Sequence, residues 1–151
     1  MGISTELGRL ENLLTLLAEH WTLFTEDELL NRAGPGRWSR KEVLGHLVDS
    51  AANNHSRFVL AQLAPPLQMR AYDQDAWVSL SAYQHLSSAE LLALWTAYNR
   101  FFLHLLAQIP EEALAVECFT PNANPVTLYW LINDYVLHLE HHVQQIIYEH
   151  E

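Results

Sequence analysis

Two histidines four residues apart, His138 and His142, sit in an otherwise largely apolar stretch near the C-terminal end of the chain. On a helix that spacing stacks two imidazoles one turn apart on one face, where they can grip a single metal ion. At about 100° per residue, His142 falls inside the apolar arc of Leu131, Tyr135 and Ile146, and His138 lies at its edge. His141 points further outward. Two ligands do not make a tight site, so a third is needed. His46 is a candidate, about 60° from Val43 at the border of a second apolar stripe. Asp49, Ser50, Asn53 and Arg57 follow it as a polar ribbon along the edge of a buried face. Uncompensated polar groups are costly there, and a metal with its hydrogen-bonding surroundings would satisfy them. A plainer reading fits the same spacing. With nine histidines in 151 residues, chance alone gives about half a His pair at any one spacing, so His-x-x-x-His by itself is weak, and His46 alone can be a core histidine bonded to a carbonyl. His20, His55, His85, His104 and His150 read as surface or boundary residues.

The chain offers no convincing nucleophile of its own. Cys118 lies between Glu117 and Phe119 with no histidine at a telling spacing, and Lys41 is the only lysine. Ser50 follows His46 on one helix face, which cannot present a serine on a sharp exposed turn.

Composition narrows the partners. Eighteen acidic residues against eight basic ones give a formal charge of −10, which repels phosphate backbones, and no Lys/Arg cluster reverses it locally. Nucleic acid is therefore excluded as a partner. No apolar run approaches the roughly 18 residues of a membrane span, and Met1 to Leu10 lacks the basic start and apolar run of a signal peptide. A single cysteine rules out an internal disulfide and fits a reducing cytoplasm. The length suits one domain spanning residues 1–151.

Four amphipathic helices would position these residues. The first carries Ile3, Leu7, Leu10, Leu14, Leu17, Trp21 and Phe24 and ends before Gly34-Pro35-Gly36. The second opens on a capping box, Ser39-Arg40-Lys41-Glu42, and runs through Phe58 to Pro65-Pro66. A second capping box, Ser87-Ser88-Ala89-Glu90, starts the third, which Pro110 ends. The fourth is expected to begin at Asn124-Pro125, with Asn as cap and Pro at the first helical position. The expected fold is all-α, an antiparallel four-helix bundle. The connection between the second and third helices, about Ala64 to His85, is longer than a bundle needs and carries Tyr72, Asp73, Asp75 and Trp77. A short helix is expected near Gln74 to Leu80, over one end of the bundle or beside a site.

The stretch Trp38-Ser39-Arg40-Lys41-Glu42-Val43-Leu44-Gly45-His46-Leu47-Val48-Asp49-Ser50, with Asn53 and Arg57, resembles the second helix of the DinB-like superfamily and its YfiT-type members. Asp134 to Ile146 resembles that family's final metal-binding helix, and Tyr72-Asp73-Gln74-Asp75-Ala76-Trp77 is also similar to this group. The likeness runs from about Trp38 to Ile147. It implies a four-helix bundle whose pocket holds a divalent metal, often nickel or zinc, on three histidines, by motif His46, His138 and His142. It also implies homodimers for many members, and for some a thiol S-transferase or thiol-dependent isomerase activity.

Three neutral histidines leave a divalent ion's charge uncompensated and leave coordination positions open, the arrangement of a catalytic site. The leading reading is a metal-dependent enzyme acting on a small electrophile, as a hydrolase or with a low-molecular-weight thiol. In this reading Asp49 orients a histidine or the metal-bound water, Asn53 and Arg57 line the substrate pocket, and Tyr72 and Trp77 form an apolar wall. The rival is a non-enzymatic stress-response protein that binds a metal or ligand without turnover.

Overall fold

The computed structural model describes residues 2–149, Glu149 by its backbone alone. Its helices are, in chain order, α1 (Ser4–Trp21), α2 (Glu26–Leu30), α3 (Arg40–Leu63), α4 (Gln74–Ser81), α5 (Ser88–Ala107) and α6 (Leu128–Gln144). Three short strands, β1 (Leu67–Gln68), β2 (Glu117–Phe119) and β3 (Pro125–Thr127), two 3-10 turns, Tyr83–His85 and Glu111–Ala115, and a π-helical segment, Gln145–Glu149, lie between and after them. The four long helices form a four-helix bundle. α1 packs against α5 and α6, and α3 packs against the same two, so α1 and α3 face each other across the diagonal.

The helix starts follow the chemistry of their caps. At Ser39 the box is complete: its hydroxyl accepts from the Glu42 N–H at 3.0 Å, and the Glu42 carboxylate accepts from the Ser39 N–H at 3.1 Å. At Ser87 the hydroxyl accepts from the Glu90 N–H. α1 stops at Trp21, three residues short of Phe24. A third capping box, Thr25 with Glu28, draws the chain into the separate helix α2.

The start of α6 differs from expectation. Pro125 opens β3, not the helix, and Thr127 is the cap, its hydroxyl accepting from the Trp130 N–H at 3.1 Å. Pro125 lies opposite Phe119 at the first position of its strand, where proline's missing N–H costs little. The sheet order is β1-β2-β3, with β1 parallel and β3 antiparallel to β2. That sheet pins the connection after α3 to the start of α6, helped by the Met69 N–H on the Phe119 carbonyl at 2.9 Å. The same connection carries α4 close to the expected short helix.

Packing is densest around α3, which is covered by α5 and α6 and also by α4 and the turn Tyr83–His85. Every residue from Lys41 to Ala51 is buried. Phe58, Phe102 and Tyr135 form an edge-to-face cluster with centroids 5.3–5.8 Å apart, and the Tyr135 hydroxyl donates to the buried Asn99 amide oxygen at 2.7 Å. Gly45 is required by close approach. A Cβ there would sit 2.0 Å from Cδ2 of the Tyr83 ring. Gly45→Ala should gain about 1 kcal/mol of helix propensity, yet overpacking costs about 1–3 kcal/mol. Because the clash is with a ring, a net loss is expected in urea denaturation. A more stable variant would show that the Tyr83 ring yields freely.

Candidate metal centre

α3 and α6 bring three imidazoles to one point. Nε2 of His46 lies 3.2 Å from Nε2 of His138, and the His142 ring centroid is 4.9 Å from His46 and 4.6 Å from His138. One nitrogen from each of the three lies within 4.8 Å of the others. His46 is 1% exposed, while His138 and His142 are half-buried. His141 is exposed at the next position, its ring 5.0 Å from that of His142. Burial and the neighbouring imidazoles push His46 down to about 3 and His138 to about 4; burial also lowers His142, against the Gln145 hydrogen bond. All three are neutral at pH 7, with lone pairs available.

The surroundings fix how each ring is held. The Trp38 ring lies against His46 with centroids 4.9 Å apart. Nδ1 of His142 meets the Gln145 side-chain oxygen at 2.8 Å, so as donor its Nδ1–H leaves Nε2 as the free lone pair. Asp49, one turn beyond His46, accepts from the Tyr83 hydroxyl at 2.5 Å through Oδ1. Burial raises the Asp49 carboxyl, and burial together with Asp49 raises the Tyr83 hydroxyl. Among the described residues, Nδ1 of His46 and Oδ2 of Asp49 are both buried without a hydrogen-bond partner.

A cavity of about 250 Å³ opens beside His138, between α3, α6 and the connection after β1. Ser50, Asn54 and Arg57 line it from α3, Asp134 and Tyr135 from α6, and Tyr72 from the connection. The polar ribbon of α3 is thus divided. Asp49 turns to Tyr83, whereas Ser50 and Arg57 turn to the cavity. Asn53 does not line it; its amide donates to the Asp49 carbonyl, and Asn54 takes the expected place. Trp77 does not line it either. It is 40% exposed and packs edge-on behind Tyr72 at 5.4 Å. Asp75 lines a separate cavity with Trp38, Glu42 and Tyr83. Cys118 is fully buried in β2, and Lys41 is held by Glu26 at 3.0 Å.

Residues 9–146 match the family model of the DinB superfamily. The chain belongs to that superfamily. Among its relatives, YfiT of Bacillus subtilis, provisionally named a metal-dependent hydrolase, is 26% identical over 138 residues, 91% of this chain and 78% of that protein. A provisionally named metal-dependent hydrolase of Bacillus licheniformis is 26% identical over 93% of this chain and 80% of its own length. The solved structure of YfiT superposes with a TM-score of 0.85 at 25% identity, covering 94% of this chain and 82% of that one. A mycothiol-dependent maleylpyruvate isomerase shares the fold, with a TM-score of 0.78 at 13% identity, over 97% of this chain and 61% of the isomerase. Like the relatives' names, the histidine cluster points to a divalent metal in this DinB-superfamily chain. Among the described residues no helix is long and apolar enough to cross a membrane.

Neutral buried imidazoles make folding sensitive to acid in a definite window. Their unfolded value is 6.5 and the folded values lie lower, so the unfolded chain takes up protons first as pH falls. The stability they confer is complete above about 6.5 and is lost progressively toward about 3. Metal-free protein should therefore unfold at lower urea at pH 5 than at pH 7, before the carboxylates with lowered values begin to protonate. His46→Gln should flatten that slope. An unchanged slope would mean that the His46 ring is solvated in solution.

Proposed function

We propose that His46, His138 and His142 hold one divalent ion, nickel or zinc, and that the chain is a metal-dependent enzyme acting on a small electrophilic molecule. The observation that carries this reading is the convergence of His46 and His138 through their Nε2 atoms, 3.2 Å apart, with His142 beside both. Tetrahedral metal–nitrogen bonds of 2.0–2.1 Å place ligand nitrogens about 3.3 Å apart. The donor set therefore fits such an ion. Neutral nitrogens at that distance otherwise gain only one shared hydrogen between them. A bound ion supplies Lewis acidity, polarising a carbonyl or phosphoryl oxygen and acidifying a water or thiol brought to it.

The chain's own residues do the rest. Gln145 fixes the tautomer of His142, and Trp38 walls His46 from water. Tyr72 and Tyr135 give the cavity aromatic walls, and Arg57 supplies the positive charge for an anionic group. Cys118 and Lys41 are engaged elsewhere, so neither attacks in place of an activated small molecule. Hydrolysis agrees with the names of the Bacillus relatives, and use of a low-molecular-weight thiol agrees with the name of the isomerase. Release of product from the chosen electrophile with and without a thiol separates the two, and absence of any turnover would favour a metal- or ligand-binding protein.

Metal content tests the centre directly. Purified protein is expected to carry about one ion per chain by elemental analysis, and His46→Ala, His138→Ala and His142→Ala should each lose most of it. His141→Ala should retain it. Full occupancy in the first three, with loss in the last, would move the centre by one residue.

Asp49 is proposed to position His46. A ring held through Nε2 presents Nδ1–H to its surroundings, and the Asp49 Oδ2 is buried one turn away without a donor. Asp49→Asn should weaken metal binding by about 10- to 100-fold in a chelator competition. Tyr83→Phe, which keeps the carboxylate, should weaken it less. Equal affinity in Asp49→Asn and the parent protein would assign Asp49 a role in packing alone.

A further inference from the structure

The cavity beside His138 carries one charge of each sign. Arg57 lines it from α3 and Asp134 from α6, and each feels the other electrostatically. They do not pair. Arg9 with Glu140, Arg32 with Glu42 and Lys41 with Glu26 are in ion-pair contact, whereas Arg57 and Asp134 are not. Arg57 makes one hydrogen bond, through Nη2 to the Arg70 carbonyl at 2.8 Å, which leaves most of its donors unused. The Asp134 carboxylate has no hydrogen-bond partner in the described residues. Arg57 is half-buried and Asp134 reaches solvent; partial desolvation lowers Arg57 and raises Asp134, and each partly offsets the other. A pair of this kind placed only for stability would close to contact. Here both residues line a cavity of about 250 Å³ without meeting.

Both charges have fixed supports. Arg57 is anchored through Arg70 to the connection that the sheet holds in place. Asp134 lies four residues before His138 on α6, so a group bound at Asp134 is about 6 Å along the axis from the histidine. Tyr72, Ser50 and Asn54 line the same cavity and offer hydroxyl and amide groups, and the remaining wall includes the apolar Met69, Ala71 and Pro121.

We propose that this cavity takes a zwitterionic, amino-acid-like substrate, its carboxylate on Arg57, its ammonium on Asp134 and its remaining end toward His138. The inference deepens the enzymatic reading and rests on the cavity being the substrate side of the histidine centre. Neither a plain anion nor a plain cation uses both walls, whereas a carboxylate and an ammonium on one carbon frame satisfy both at once. The unlined positions explain themselves on this basis: Asn53 and Trp77 lie outside the region that such a molecule occupies.

The test uses chelator-treated, metal-free protein at pH 7.5, so its result is independent of whether the histidines hold an ion. Three probes are titrated by ligand-observed NMR: L-methionine, N-acetyl-L-methionine, which lacks the ammonium, and L-methionine methyl ester, which lacks the carboxylate. L-Methionine is expected to bind about ten- to thirtyfold more tightly than either blocked form, the lower range for charge-assisted hydrogen bonds. Asp134→Asn should abolish the advantage over the N-acetyl form, and Arg57→Gln the advantage over the ester. Equal affinity for all three probes, tighter binding of the N-acetyl form, or no saturable binding of any would overturn the proposal. Loss of metal binding in the histidine variants with the probe pattern intact would leave this inference standing on its own.

Discussion

Everything in this molecule is arranged around the meeting of His46 on α3 with His138 and His142 on α6. A neutral imidazole tolerates a bundle interior far better than an imidazolium, but it still brings two nitrogens that want partners. Three of them at one point compound the demand. The fold answers it locally for His142, through Gln145, and leaves Nδ1 of His46 unanswered. Burial and mutual repulsion then keep the rings uncharged. What the bundle loses in apolar packing it recovers as a set of lone pairs facing one another.

That meeting dictates why α3 is the most covered helix. It has polar side chains on two sides of His46, so neither side can be left to bulk apolar contact. On one side the turn after α4 brings Tyr83 down onto Gly45 and gives Asp49 its donor. Any larger residue than glycine would hold the tyrosine off and leave the carboxylate alone in the core. On the other side the three-stranded sheet holds Tyr72 and Met69 over Ser50 and Asn54. The long connection is therefore no idle crossover: its two ends close two different walls of one site.

Much of this was readable in the sequence where a local rule governs. Ser39 with Glu42, the stripe of α5 and the spacing of His138 and His142 all report short-range geometry, and the helices stand where those signals put them. The failures share one cause. Thr127 wins over Asn124 as cap because Pro125 is recruited into β3 by Phe119, and no local pattern reveals that pairing. Asn53 and Asn54 are neighbours on a helix, both amides bond back to the preceding turn, and only the placement of the cavity decides which faces it. Angle alone allowed either. Trp38, Tyr83 and Gln145 were missed as partners of the histidines and Asp49 because stacking, a hydroxyl from a distant turn and an amide beyond the helix leave no periodic trace. Trp77 was drawn to the site by its residue type, whereas Tyr72 stands in front of it.

The division of the α3 ribbon also explains how so small a domain separates holding from binding. Asp49 and Tyr83 lie on the side of His46 away from the cavity, where burial is nearly complete and a hydrogen bond gains strength from the low local dielectric. Arg57 and Asp134 lie on the solvent-reaching side, where charges can remain ionised and still be met by an incoming molecule. If the two sets were exchanged, a guanidinium would stand in the core without a counter-charge, and the carboxylate that accepts from Tyr83 would be hydrated and weak as an acceptor. A single helix can serve both purposes because a step of one residue turns the side chain by about 100°. Asp49 and Ser50, adjacent in sequence, therefore belong to different sides of the same centre. The bundle needs no added domain to build a dry inner face and a wet outer one around three imidazoles.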